Sequence, residues 1–140
     1  LYGKAGARGK GGNFVDFMIQ RAKNGEEIKV VDDTFMSSTY TKDVSIMLMR
    51  FLEIKPAFGV YHTVNEGYCN WYDFTKEIFY ILGWDAQIQI IPIKSSELKR
   101  PARRPVFSAL KNKKLEDLGL RMRDWKGALK DYLMEEKRGR

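Results

Sequence analysis

The sequence predicts a mixed α and β fold of about four to five helices and a few short strands. Three observations carry this. Apolar residues recur at three-and-four spacing, amide or acid caps stand ahead of those stretches, and short β-type runs fall between them.

Residues 1–12 are rich in Gly, Lys and Arg and are expected to form a flexible basic lead-in. Asn13 then caps a first helix with Asp16 three residues on, the spacing of a capping box, and Asn24-Gly25 closes it. Phe14, Phe17 and Met18 form its expected apolar face. Glu27 to Val31 reads as a strand ending at Asp32-Asp33. A second helix is expected from Thr41 to Leu52, capped by Thr39 or Thr41, with Val44, Met47, Leu48, Phe51 and Leu52 as a buried stripe. Pro56 lies just past its end. Gly59 to Val64 reads as a strand in which Tyr61-His62 is buried.

Asn70 caps a third helix with Trp71, Phe74, Ile78, Ile81 and Leu82 toward the core, and Gly83 ends it. Gln87 to Ile93 reads as a strand that Pro92 stops at or soon after. Residues 94–108 form a basic, proline-punctuated loop with a single turn at Ser96 to Leu98. A short helix near Asn112 to Leu118 is closed by Gly119. Asp124 caps a last helix carrying Trp125, Ala128, Leu129, Tyr132 and Leu133 on one face, and residues 136–140 are expected to fray. So few strands want a larger sheet to join, and the chain opens at Leu1 rather than at a methionine. Both features read as a piece of a longer protein.

Composition narrows the class. The 140 residues are 44% hydrophobic, enough for one domain with a modest core. No apolar run approaches the roughly 18 residues that cross a bilayer, and no signal peptide precedes the first helix. A cytoplasmic protein without membrane contact is therefore expected. Cys69 is the single cysteine and excludes an internal disulfide. With one histidine in the chain it also argues against a Cys/His metal site.

The net charge of +7 is concentrated at one end. Residues 94–140 hold 15 Lys and Arg against 7 Asp and Glu, whereas residues 1–93 hold 10 against 11. Such an excess fits a phosphate-bearing ligand, a nucleic acid, or a solvated basic face with no ligand.

Catalytic signatures are missing. No G-x-G-x-x-G follows a strand, no Walker spacing occurs, and no G-x-S-x-G accompanies His62. Asp32 and Asp33 are adjacent on an extended chain and point to opposite sides, which suits a strand end better than a carboxylate pair.

Four segments, in order and spacing, resemble the carboxy-terminal half of the dTDP-4-dehydrorhamnose reductases, of the extended short-chain dehydrogenase/reductase group. Leu1-Tyr2-Gly3 with Asn13-Phe14-Val15 is similar to W-x-Y-G…N-F-V. Val30-Val31-Asp32-Asp33 running to Thr39 and Asp43 resembles V-x-D-x-x-G-x-P-T-x-x-x-D-L. Gly59-Val60-Tyr61-His62, Gly67 and Trp71 to Phe74 are similar to G-x-Y-H-x-x-x-x-G-x-x-S-W-x-x-F. Ala102-Arg103-Arg104-Pro105 with Ser108-Ala109-Leu110 resembles A-x-R-P-x-x-S-x-L.

The resemblance implies the substrate-binding portion of an NADPH- or NADH-dependent reductase that makes dTDP-L-rhamnose, with its Rossmann core missing. The cofactor loop and the Tyr-x-x-x-Lys pair of that family belong to an amino-terminal domain, the expected partner of this one. No catalytic residue and no bound cofactor are expected within this chain. A homodimer is a candidate assembly, and no membrane contact is implied. Asn13 matches a position near the sugar. Arg104 matches the arginine that contacts the substrate nucleotide or its diphosphate, a role suited to a rigid guanidinium fork. Arg103 and Arg100 are neighbours able to substitute for it or to stay solvated.

The family's G-x-P-T stands here as Met36-Ser37-Ser38-Thr39, in a loop usually near the substrate, which leaves the sugar open. A related regulatory subunit of methionine adenosyltransferase keeps a similar A-x-R-P segment, so a non-catalytic role stays open too. A nucleic-acid-binding domain ranks last, because no helix-turn-helix, zinc finger or RNA-binding aromatic signature accompanies the charge.

Overall fold

The computed structural model of the chain describes residues 1–4, 12–98, 101–102 and 104–138. Five helices organise it: α1 Phe14–Lys23, α2 Thr41–Ile54, α3 Trp71–Leu82, the short α4 Lys113–Asp117 and α5 Trp125–Arg138. The strands are β1 Ile28–Val31, β2 Phe35–Met36, β3 Cys69–Asn70, β4 Ile90–Ile93 and β5 Phe107–Ser108, with a single 3-10 turn at Ser95–Glu97. β1 and β4 pair in parallel, Ile28 opposite Ile90 and Val31 opposite Ile93. A second small sheet runs β3–β2–β5, with β2 antiparallel to β3 and parallel to β5.

The caps lie where local chemistry puts them. Asn13 Oδ1 accepts from Val15 N and Asp16 N while Asn13 N donates to Asp16 Oδ2, a complete capping box. Asp73 N donates to Asn70 Oδ1 at 2.7 Å, and Lys126 N to Asp124 Oδ1 at 2.8 Å. Gly83 ends α3 in the left-handed conformation, φ 74°, which glycine adopts without a Cβ clash. α5 buries all five of its expected core residues, Trp125, Ala128, Leu129, Tyr132 and Leu133. They pack in one core with Phe74, Ile78 and Phe79 of α3, and Tyr132 sets its ring edge-on to those of Tyr2 and Tyr40. Leu129 and Leu133, both fully buried, each contribute about 1.5–3 kcal/mol.

Several expectations need correction. On α1 the inward residues are Val15 and Met18, and Phe17 is 40% exposed, because the helix turns Val15 rather than Phe17 to the sheet. α2 begins after an N-cap at Tyr40 whose side chain makes no cap bond, so neither Thr39 nor Thr41 caps it. Its stripe is not buried as a whole: Met47 is, but Leu48 and Leu52 are 55% and 60% exposed, with Ile46 and Met49 beside them. Nothing among the described residues covers that face. Residues 59–64 form no strand, and His62 is exposed. The backbone there is held on one side by a side chain, since Asn112 Oδ1 accepts from Val64 N and Asn112 Nδ2 donates to Val64 O. No strand lies along its other side among the described residues. β4 starts at Ile90 and carries Pro92 opposite Val30, which is tolerated because β4 is an edge.

Of the lead-in over 1–12, Tyr2 is a core residue, and 5–11 lie outside the described residues. Of the expected frayed tail, the helix runs to Arg138, and 139–140 lie outside the described residues. No helix among the described residues is long and apolar enough to cross a membrane.

Three buried hydroxyl and thiol groups make the fold sensitive to alkali. Burial, then the Asp73 charge, pushes the Cys69 thiol from 9.0 up to about 12. Burial, then a hydrogen bond donated to Glu135, pushes the Tyr40 phenol from 10.0 up to about 12, and burial raises Tyr2 as well. All three keep protons in the native state that the unfolded chain releases. Their stabilisation is therefore complete below about pH 9 and is lost as pH climbs toward 12. Urea midpoints measured at pH 8, 9.5 and 11 should fall in that order, and a thiol reagent at pH 8 should modify Cys69 only after unfolding. A flat midpoint across the series would contradict this account.

Candidate functional site

Arg104 and Pro105 lead directly into β5, and β5 is stitched to β2 along its length. Phe35 N donates to Val106 O at 2.8 Å, Ser108 Oγ donates to Phe35 O at 3.0 Å, and Leu110 N donates to Ser37 Oγ at 3.0 Å. Phe35 pairs with Phe107 and Met36 with Ser108. Side chains alternate along a strand, so Met36 and Ser108 share one face. That face forms a wall of a cleft of about 640 Å³ that also receives Arg104, Phe14, Trp71 and, from β1, Lys29.

The cleft has a charged pole and an apolar floor. Arg104 is exposed and has no hydrogen-bond or ion-pair partner among the described residues. Lys29 is already paired to Glu27 at 2.6 Å. The floor is Phe14 packed on Trp71, ring centroids 4.6 Å apart, with Met18 from α1. An uncommitted guanidinium beside aromatic surface suits a ligand that combines an anionic group with a flat or apolar one.

A larger cleft of about 700 Å³ lies along α3, lined by Tyr72, Lys76, Glu77 and Trp125 among others. Its cations are spoken for. Lys126 pairs with Glu77 at 3.2 Å, and Lys76 lies 5.5 Å from the centre of the Tyr72 ring. The Arg104 cleft is the better anion site despite its smaller size.

The expected site residues separate. Arg104 lines the cleft, whereas Arg103 and Arg100 lie outside the described residues. Asn13 is buried, and its amide is used within the chain: Nδ2 donates to Tyr132 Oη at 2.9 Å and to Gly3 O at 3.2 Å, and Oδ1 holds the start of α1. Its neighbour Phe14 is what reaches the cleft. Asp33 is likewise occupied, accepting from Ser95 N and Ser95 Oγ, so it ties the start of the basic loop to the end of β1. Met36 lines the cleft without having been singled out as a contact; its departure from the G-x-P-T pattern was the available signal.

The family model described as RmlD substrate binding domain matches residues 1–138. The spore coat polysaccharide biosynthesis protein SpsK of Bacillus subtilis is 36% identical over 125 residues, covering 89% of this chain and 43% of the relative. A probable dTDP-4,6-dihydroxy-2-methyloxan-3-one 4-ketoreductase of Streptomyces antibioticus is 33% identical over 132 residues, covering 94% of this chain and 43% of the relative. The crystal structure of a dTDP-4-dehydrorhamnose reductase from Bacillus anthracis in complex with NADP superposes with a TM-score of 0.85 at 33% identity, over 96% of this chain and 46% of that one. This chain thus spans less than half the length of these relatives. A match that runs through both small sheets and all five helices leaves one assignment: the chain belongs to the RmlD substrate-binding domain family.

Proposed function

We propose that this chain is the substrate-holding part of an NADPH-dependent reductase acting on a dTDP-linked 4-keto-6-deoxy sugar, with Arg104 as the diphosphate clamp. The observation that carries the reading is the uncommitted Arg104 guanidinium above the Phe14–Trp71 floor. The cofactor and the proton donor belong to the part of the longer protein that this chain lacks. The cofactor would supply the hydride for the C4 carbonyl carbon, and the proton for its oxygen would come from that same part. The residues described here bind and orient. The reaction belongs in the cytoplasm, where nucleotide sugars and nicotinamide cofactors are kept.

The exposed α2 face supports a docked second half. Ile46, Leu48, Met49 and Leu52 on α2, with Phe58 and Val60 just beyond it, expose more apolar surface than a stable free domain favours. Residues 59–63, whose backbone has no backbone partner among the described residues, offer that half an edge as well. Two sugars fit the relatives' names. 4-Dehydrorhamnose carries a hydroxyl at C2, and the 4,6-dihydroxy-2-methyloxan-3-one ring has a methylene there. dTDP-4-dehydrorhamnose is the first choice, on the chain-long resemblance.

The full-length protein should oxidise NADPH when given dTDP-4-dehydrorhamnose. Residues 1–140 alone should show no turnover and should enhance the fluorescence of a hydrophobic dye through the bare α2 face. Turnover by residues 1–140 alone would overturn the placement of the chemistry in the other half.

A further inference from the structure

We infer that Asp33 is a positioning residue: its carboxylate closes the base of the loop that carries Arg104 and so holds the guanidinium ready for an anionic ligand. The inference rests on the reading of Arg104 as the diphosphate clamp, and it adds what keeps the clamp in place.

The loop is fastened at both ends to one short segment. At its start, Asp33 Oδ1 and Oδ2 accept from Ser95 N at 3.0 and 3.1 Å, and Oδ2 accepts from Ser95 Oγ at 3.0 Å. At its end, Phe35 N donates to Val106 O at 2.8 Å. Asp33 and Phe35 are two residues apart in the chain, so their Cα atoms lie within about 7 Å of each other. A stretch returning to so narrow a base has the plan of an Ω-loop. Thr34, buried between the two fastenings, lines the Arg104 cleft. From Ser95 a single turn, closed by Glu97 N on Lys94 O and Leu98 N on Ser95 O, delivers Leu98 to the same cleft. Arg104 and Pro105 stand immediately before Val106 and line it too.

The two fastenings differ in strength. The second belongs to the β2–β5 ladder and is backed by Ser108 Oγ and Leu110 N. The first is made by one half-buried side chain. Its neighbour, the Lys94–Asp32 pair at 2.9 Å, has its lysine 61% exposed and adds little. Behind it the next backbone bond is Asp32 N to Ile93 O at 3.1 Å, so without Asp33 the turn at Ser95–Glu97 pivots about Lys94. Residues 96–105 also hold four cations, Lys99, Arg100, Arg103 and Arg104, against the single acid Glu97. Closing such a stretch works against chain entropy and like-charge repulsion. Asp33 offsets both before the ligand arrives, which is preorganisation of the clamp.

The test titrates dTDP and NADPH calorimetrically into the full-length parent, Asp33→Asn, Asp33→Ala, Arg104→Ala and the Asp33→Ala, Arg104→Ala double variant. Asparagine keeps an oxygen for Ser95 N and loses the charge, whereas alanine loses both. Asp33→Ala should weaken dTDP about fivefold, the scale of freeing one ordered side chain. Loss of a negative charge one residue from an anion site would by itself act the other way, so the sign is diagnostic. Asp33→Asn should stay within about twofold of the parent, and NADPH should bind all variants alike. On the Arg104→Ala background, Asp33→Ala should cost less than about twofold more, because nothing is left to position. Unchanged or tighter dTDP binding in Asp33→Ala would overturn the inference and leave the clamp standing. An equal loss with and without Arg104, or an equal loss of NADPH, would overturn it as well by making Asp33 a support of the fold. If Arg104→Ala binds dTDP as the parent does, the clamp falls and this inference with it.

Discussion

Arg104→Ala in the full-length protein should weaken binding of the dTDP-sugar on the order of 100-fold and leave NADPH affinity within about twofold. A guanidinium on a diphosphate makes charge-assisted, paired hydrogen bonds in a cleft from which the ligand excludes water, and losing one partner of such a pair costs about 2–5 kcal/mol. Arg104 has no other partner to occupy among the described residues, so its full donor set is available to the ligand. The diphosphate does not change during hydride transfer. Its grip is the same in ground and transition states, and the variant should raise KM far more than it lowers kcat. Arg104→Lys should recover only part of the loss, since an ammonium is a point charge without the fork. Equal weakening of NADPH and dTDP-sugar, measured by calorimetry, would mean that Arg104 holds the fold rather than the ligand.

The largest stability effect should come from Arg123→Ala. Asp43, near the start of α2, is almost fully buried and accepts from Arg123 Nε and Nη2, both at 2.8 Å. Asn65, fully buried, donates to the same carboxylate at 2.7 Å while its Oδ1 accepts from Tyr40 N. Arg123 also pairs with Asp131 on α5. One cluster thus joins the start of α2, the segment after residue 64 and the start of α5. Removing Arg123 leaves a buried carboxylate with one amide donor. Breaking a buried pair in this way costs about 3–5 kcal/mol, reduced to about 2–3 because Arg123 itself is 39% exposed. Asp43→Ala should cost less, since a half-exposed guanidinium recovers water and keeps Asp131. Urea denaturation gives both values, and a larger loss for Asp43→Ala than for Arg123→Ala would contradict this ordering.

What the sequence made legible was local chemistry. Asn13, Asn70 and Asp124 announce helix starts because a cap acts on N–H groups two or three residues away. The α5 stripe was readable because both partners of its core face lie within this chain. The strands β2, β3 and β5 were not readable, since each is two residues long and exists only through a partner distant in sequence, as Phe35 with Phe107. α2 failed for the opposite reason. Its periodicity is real, but a stripe records that a face is covered by something, not that the cover lies within the same 140 residues. At the site, Arg104 was legible from charge and pattern. Asn13 was legible as a cap through its Oδ1, whereas the bonds of its Nδ2 to Tyr132 and Gly3, distant in sequence, were not. Met36 went unread as a contact because a lone methionine carries no signature until a neighbouring strand brings it to the wall of a cleft.

The uncovered α2 face also bears on anyone wishing to use this half as a freestanding dTDP-sugar receptor, for a biosensor or an affinity matrix. Two adhesive features would have to be removed together: the apolar helix face at Leu48 and Leu52, and the backbone beside Val60, which has no backbone partner among the described residues. Lysines at Leu52 and Val60 would put charge on both without touching the Arg104 cleft, whose lining includes neither residue. The proposed ligand cleft and the bare apolar face are thus separable by mutation, although one short chain carries both.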